Sequence, residues 1–192
     1  MAKRVIIGGL LGGIALFIWG SLAHMVLGLG NVGFKEIPNE AAVLSAVITS
    51  ITEPGLYYFP GLGLPANATM AQQNAAMKES DAKASTGPSG LLIIHPHGGG
   101  GFTAARLINE FVLNLVQGLL LAVLLAWALP IVGYVPRVAF VTVAGFFGAL
   151  ATNIQYWNWY GFPANYTVAY ITNETVGFLV VGLVVAAMVK PR

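Results

Sequence analysis

Long apolar runs constrain this chain more than any other feature. Val5 to Leu29, Leu107 to Leu129 and a run from about Tyr166 to Val189 each reach about 20 residues, and a shorter run extends from Val138 to about Ile154. A helix of that length crosses a hydrocarbon core about 30 Å thick, because each residue advances it by about 1.5 Å. Only 8% of the 192 residues are charged and 57% are hydrophobic, whereas roughly a quarter of an ordinary soluble domain is charged. Disorder is excluded and a water-soluble globule is disfavoured. The expected fold class is an α-helical integral membrane protein with four transmembrane helices and a small α/β extracytoplasmic segment between the first and second.

Three regions follow. Residues 1–29 form the first span, residues 30–106 the only long non-apolar segment, and residues 107–192 three spans with short connections. Lys3 and Arg4 before an apolar stretch, with Ser21-Leu22-Ala23 after it, would suit a cleavable signal peptide. The stretch is longer than the usual apolar region of such peptides, so an uncleaved signal anchor is expected. Lys3, Arg4, Arg137, Lys190 and Arg192 then fall on one side, and the short connection from Gln155 to Asn165 has no Lys or Arg. The positive-inside rule makes that side cytoplasmic. Both termini are expected inside, with residues 30–106 periplasmic or extracellular.

The outer segment holds five of the seven acids and four of the nine basic residues. Asn39 is expected to cap a helix running to about Thr52, with Val43, Val47 and Ile51 on one face. Leu56 to Phe59 and Leu91 to Ile94 read as strands, Met70 to Glu79 as a helix, and Ser80 to Gly90 as a polar linker.

Polar groups inside hydrocarbon are costly, so each is a hypothesis about function. Gly9, Gly13, Gly20 and His24 fall within about 60° of one another on a helix, a small-residue stripe that admits another helix backbone. His24 is expected to face protein, either in an interhelical hydrogen bond or as a ligand to a metal or pigment. Glu110, Asn114, Asn153 and Glu174 lie in the outer half of their spans and are expected to form one buried polar network. The inner half offers only Thr142 and Arg137, which disfavours a transport path.

His95 and His97 flank Pro96 before four consecutive glycines. In extended chain, residues two apart point the same way, so the pair, with His24, is the candidate metal set; solvated histidines beside a glycine hinge are the plainer reading. Trp157, Trp159 and Tyr160 belong to the densest aromatic cluster. Such residues collect at the headgroup level, and they are also a candidate platform for a pigment, quinone or bound lipid. A metal is the less favoured cofactor. With no cysteine, thiolate sites and disulfides are excluded. A net charge of +2 provides no basic footprint for nucleic acid. No phosphate loop, dinucleotide fingerprint, nucleophile elbow or zincin motif is present.

The stretches Trp19-Gly20 through His24-Met25-Val26-Leu27, Pro38-Asn39-Glu40, Pro54 to Gly61, His95-Pro96 and Trp157 to Pro163 carry a resemblance. The chain resembles an uncharacterised family of four-pass bacterial inner-membrane proteins of about this length. The resemblance implies a bacterial inner-membrane location and the four-span order, and implies no activity.

The expected function is a non-catalytic accessory or structural subunit of a larger membrane complex of respiratory or photosynthetic electron-transfer type. Its partners would be membrane lipid and other integral membrane subunits, met through the stripe on the first helix. Two alternatives stand beside it: a metal- or pigment-binding module using His24 or His95 and His97, and a small membrane enzyme or transporter using Glu110 and Glu174. The topology is testable in a chain without native cysteine. Ser85→Cys should label with an impermeant maleimide from outside the cell and Lys190→Cys should not; the reverse pattern would invert the orientation.

Overall fold

The computed structural model describes every residue except Leu129, Pro191 and Arg192. The expected end of the second apolar run at Leu129 and two residues of the basic tail therefore lie outside the described residues. In chain order the elements are α1 (Ala2–Met25), a 3-10 turn at Leu29–Asn31, α2 (Glu40–Ser50), β1 (Gly55–Phe59), α3 (Met70–Thr86), β2 (Gly90–Ile94), α4 (Ala104–Trp127), α5 (Tyr134–Tyr160) and α6 (Ala164–Met188). They fall into two compact units, one of Met1–Phe34 with Phe102–Arg192 and the other of Lys35–Gly101.

In the first unit α1, α4, α5 and α6 contain 24, 24, 27 and 25 residues and are apolar enough to cross a membrane. At about 1.5 Å per residue they are about 36 to 40 Å long, so the chain reads as a multi-pass membrane protein. Two boundaries differ from the sequence reading. α4 starts at Ala104 because the Thr103 hydroxyl accepts the Arg106 backbone N–H at 3.3 Å, which caps the helix a turn early. α5 continues through Tyr160 and stops at Gly161, whose φ of +71° is a left-handed turn natural to glycine. Most of the expected connection from Gln155 to Asn165 is thus helix.

Helix α1 sits between α4 and α6, and its glycines decide how closely. A Cβ at Gly9 would lie 2.7 Å from the Leu119 Cα, and one at Gly13 would lie 2.5 Å from the Leu115 Cα. From the other side, a Cβ on Gly118 would run into the Gly9 carbonyl and the Gly13 amide. Gly8 and Gly12, one residue earlier in each pair, face α6 instead, where a Cβ would meet Met188 at 3.0 Å and Val185 at 2.8 Å. The expected stripe is therefore occupied inside the chain's own bundle, and Gly9 and Gly13 offer no free face to another protein. Gly20 is not a packing residue, since nothing lies within 4 Å of a Cβ built there.

The remaining close pair is α5 with α6, while α4 and α5 meet only sparsely. At the end of the bundle that carries Ala2, Trp127, Tyr134 and Met188, termed here the near end, the four helices close on an apolar core. Leu125, Val141, Val181, Val185 and Val189 are its largest fully buried side chains. Arg137 is also buried there, 5% exposed, and its Nε and Nη2 donate to the Ala186 carbonyl at 3.4 and 3.2 Å. Carbonyls in the last turn of a helix lack intrahelical donors and carry its partial negative charge. A guanidinium is thus held at the end of α6 by the backbone.

The second unit pairs β1 with β2 antiparallel, Leu56 opposite Ile93 and Tyr58 opposite Leu91. The expected linker after Glu79 is helical as far as Thr86. Thr69 and Gln72 form a reciprocal capping box at its start, and the Lys83 ammonium pairs with Glu79 at 2.7 Å on the exposed face. Asn39 precedes α2, but its side chain makes no capping bond, and the helix ends at Ser50 rather than Thr52. Among the described residues no apolar side chain of this unit is buried; Ser80 is, and its hydroxyl donates to the Pro60 carbonyl at 2.9 Å.

The glycine contacts predict a sharp contrast. Gly118→Ala places a methyl against backbone that cannot rotate away and should destabilise the bundle by about 3 kcal/mol. Gly148→Ala has open space around it and should change stability by less than about 0.5 kcal/mol. Thermal unfolding of the detergent-solubilised chain measures both; equal effects would refute the close α1–α4 approach.

Candidate functional site

In the opposite, far half of the bundle the four helices part around a cavity of about 430 Å³. Each contributes to its wall: Trp19, Gly20 and His24 from α1, Glu110, Asn114 and Gln117 from α4, Gly148 and Thr152 from α5, and Tyr170, Asn173 and Glu174 from α6. The space follows from residue size. Ala144, Gly145, Gly148, Ala149 and Thr152 recur at three- and four-residue spacing, giving α5 one face of small side chains. The Phe178 ring fills the notch at Gly145, while Gly148 on α5 and Gly20 on α1 have nothing against them.

In place of one buried polar network there are two separate pairs, with Glu174 half-buried and Glu110 exposed. On α4 the Asn114 amide donates to the Glu110 carboxylate and to the Glu110 backbone carbonyl, both at 2.9 Å. Between α5 and α6 the Asn153 amide donates to Glu174 Oε2 at 3.4 Å and to the Ala149 carbonyl at 2.9 Å. Asn114 and Asn153 are 5% and 3% exposed, so these amides are anchors rather than surface groups. Glu110 and Glu174 both line the cavity, which joins the two pairs through space.

His24 makes no interhelical hydrogen bond. Its Nδ1 pairs with the Gly20 carbonyl of its own helix at 3.0 Å, and its ring meets Tyr170 edge-on at 6.4 Å between centroids. Nδ1 opposite a carbonyl must carry the proton, which leaves Nε2 as the acceptor in the neutral ring. The Trp19 indole N–H donates to the Asn173 backbone carbonyl at 3.1 Å and ties α1 to α6. The Asn173 side-chain oxygen is buried without a partner. Trp19, Tyr170 and Asn173 were not among the candidate residues. The position of Trp19 beside Gly20, just over one turn before His24, was the available signal.

The histidine pair is not arranged as expected. The His95 carbonyl accepts the Gly98 N–H at 3.0 Å, so His95-Pro96-His97 is a turn and not extended chain. Among the described residues no group of three or more histidine, cysteine or acidic side chains is placed to hold an ion. Of the aromatic platform, Tyr160 lies 6.2 Å from Tyr156 in a series that continues through Phe162, Tyr166 and Tyr170. Trp157 and Trp159 stay outside that series, 48% and 70% exposed, as suits residues at a membrane interface.

No protein-family model, curated protein or solved structure matches this chain. The site therefore stands on its geometry alone. That geometry offers two carboxylates, one imidazole acceptor and aromatic walls. It includes no pairing of a nucleophile with a base, and no Lys or Arg lines the cavity among the described residues.

The α5–α6 pair predicts a measurable coupling. Asn153→Leu and Glu174→Leu should each destabilise the chain, and the double variant should lose about 1 kcal/mol less than the sum. A double-mutant cycle on thermal unfolding reads this, and strict additivity would deny the bond.

Proposed function

We propose that this chain is a non-catalytic membrane protein that binds a small organic ligand in the cavity of its far half. One observation carries the reading: polar side chains from all four helices converge on a single space of about 430 Å³, within the size range of small-molecule sites. Polar groups are costly inside a bilayer and persist where they serve a site. Beneath the cavity the near half is filled by Leu125, Val141, Val181 and Val185, which supports holding a ligand over passing it through.

The cellular setting follows from the basic residues. Lys3, Arg4, Arg137 and Lys190 sit at the near end, so a bacterial inner membrane with that end cytoplasmic is the setting proposed here. The cavity then lies in the outer half of the bilayer. A role as accessory subunit of a respiratory or photosynthetic complex is compatible with this reading. It rests on the low charge content, because the glycine stripe that suggested a partner is used within the bundle.

Filling the cavity tests the proposal. Gly148→Leu adds bulk where a Cβ meets no atom within 4 Å, so the fold should hold. Mass spectrometry of small molecules extracted from the natively purified chain should find a compound in the wild type that the variant lacks. Identical extracts from the two would overturn the reading.

A further inference from the structure

The electrostatics of the cavity select its ligand. Glu110 and Glu174 both line it, and no Lys or Arg does among the described residues. Each carboxylate receives one side-chain donor, Asn114 for Glu110 and Asn153 for Glu174, and a carboxylate has about four lone-pair sites. Both therefore keep acceptor capacity toward the cavity, Glu174 half-buried and Glu110 exposed. His24 directs its Nδ1 at the Gly20 carbonyl of its own helix, which leaves Nε2 as the ring nitrogen free to meet a ligand. The Asn173 oxygen, buried and unpartnered on the same wall, also lacks a donor. The deficit is one-sided: the site is rich in acceptors and short of donors and positive charge.

Two further features narrow the chemistry. The Trp19 and Tyr170 rings belong to the same lining, and aromatic faces attract cations, indole most strongly. The volume of about 430 Å³ far exceeds the roughly 30 Å³ share of one water, so a bare inorganic ion would leave most of the space empty.

We infer that the ligand of this cavity is a small organic ammonium ion, a protonated primary amine whose N–H groups bond Glu110 and Glu174 while its carbon body rests on Trp19 and Tyr170. This rests on the reading of the cavity as a ligand site and adds the class of ligand. A neutral quinone or an anion fits poorly, because its carbonyl or carboxylate oxygens would meet acceptors. Charge-assisted hydrogen bonds are about twice as strong as neutral ones, so charge and not size should govern selection.

The test uses the full chain in lipid nanodiscs, with primary ammonium ions from methylammonium to phenethylammonium, each beside the alcohol of the same carbon skeleton. Binding is read by titration calorimetry. At least one ammonium should saturate the wild type and bind about tenfold or more tighter than its alcohol. Glu110→Gln and Glu174→Gln should each weaken the ammonium about tenfold and leave the alcohol unchanged. The wild-type comparison needs no variant to fold. Equal binding of ammonium and alcohol overturns the inference and leaves the cavity as a ligand site. Failure of every ammonium to bind also overturns it. If the native extracts of wild type and Gly148→Leu are identical as well, the ligand-site reading falls with it.

Discussion

The contact of α1 with α4, backbone against backbone, sets the geometry of the whole bundle. In lipid there is no hydrophobic drive to bring helices together, so close packing of small residues must do it. Gly9 and Gly13 on α1 and Gly118 on α4 let the two backbones approach closely along that seam. Gly8 and Gly12, about 100° around the same helix, accept Val185 and Met188 of α6. Two glycine pairs thus give α1 two neighbours and place it between them. With α1 between α4 and α6, and α5 attached to α6, α4 and α5 are left with few contacts. The cavity is the consequence of that unequal packing.

The two halves of the bundle then divide by residue size and polarity. In the near half, β-branched and leucine side chains interdigitate until Leu125, Val141, Val181 and Val185 have no exposure. In the far half glycine, alanine, amides and carboxylates take many of the facing positions beside Trp19 and Tyr170, and a space is left open. Arg137 shows that a charge is tolerated in the near half only at a helix end, where the Ala186 carbonyl provides an acceptor without a counter-ion. No such device exists for Glu110 and Glu174. Their carboxylates have one amide donor each, and the remaining lone pairs face the cavity.

The spans were legible because length and apolarity are summed over many residues and tolerate error at each. Their ends were not, since Thr103 and Gly161 act through single backbone contacts that composition does not register. Glu110, Asn114, Asn153 and Glu174 could be named from their cost in hydrocarbon. That they form two pairs was hidden, because it depends on which helices touch. The stripe of Gly9, Gly13, Gly20 and His24 was correctly seen as one face, yet a face does not name its neighbour. Its first half meets α4 and its second half, at Gly20 and His24, opens on the cavity. Trp19 was missed for the same reason: its partner, the Asn173 carbonyl, lies on a helix 154 positions away.

Charge along the chain is distributed to match that cavity. All seven acids lie in residues 36–81 or at Glu110 and Glu174, and none is at the near end, where Lys3, Arg4, Arg137 and Lys190 sit. In the orientation proposed above, with the near end cytoplasmic, a membrane potential would draw cations inward by about 2.3 kcal/mol per charge for a full crossing at 100 mV. A cation entering from the far side would gain part of that, meet two carboxylates, and stop at the apolar core formed around Leu125 and Val141. Beyond it the next charges are the basic residues of the near end, which repel it. Packing by glycines creates the space, and the sidedness of charge is what would favour the ammonium ligand proposed for it.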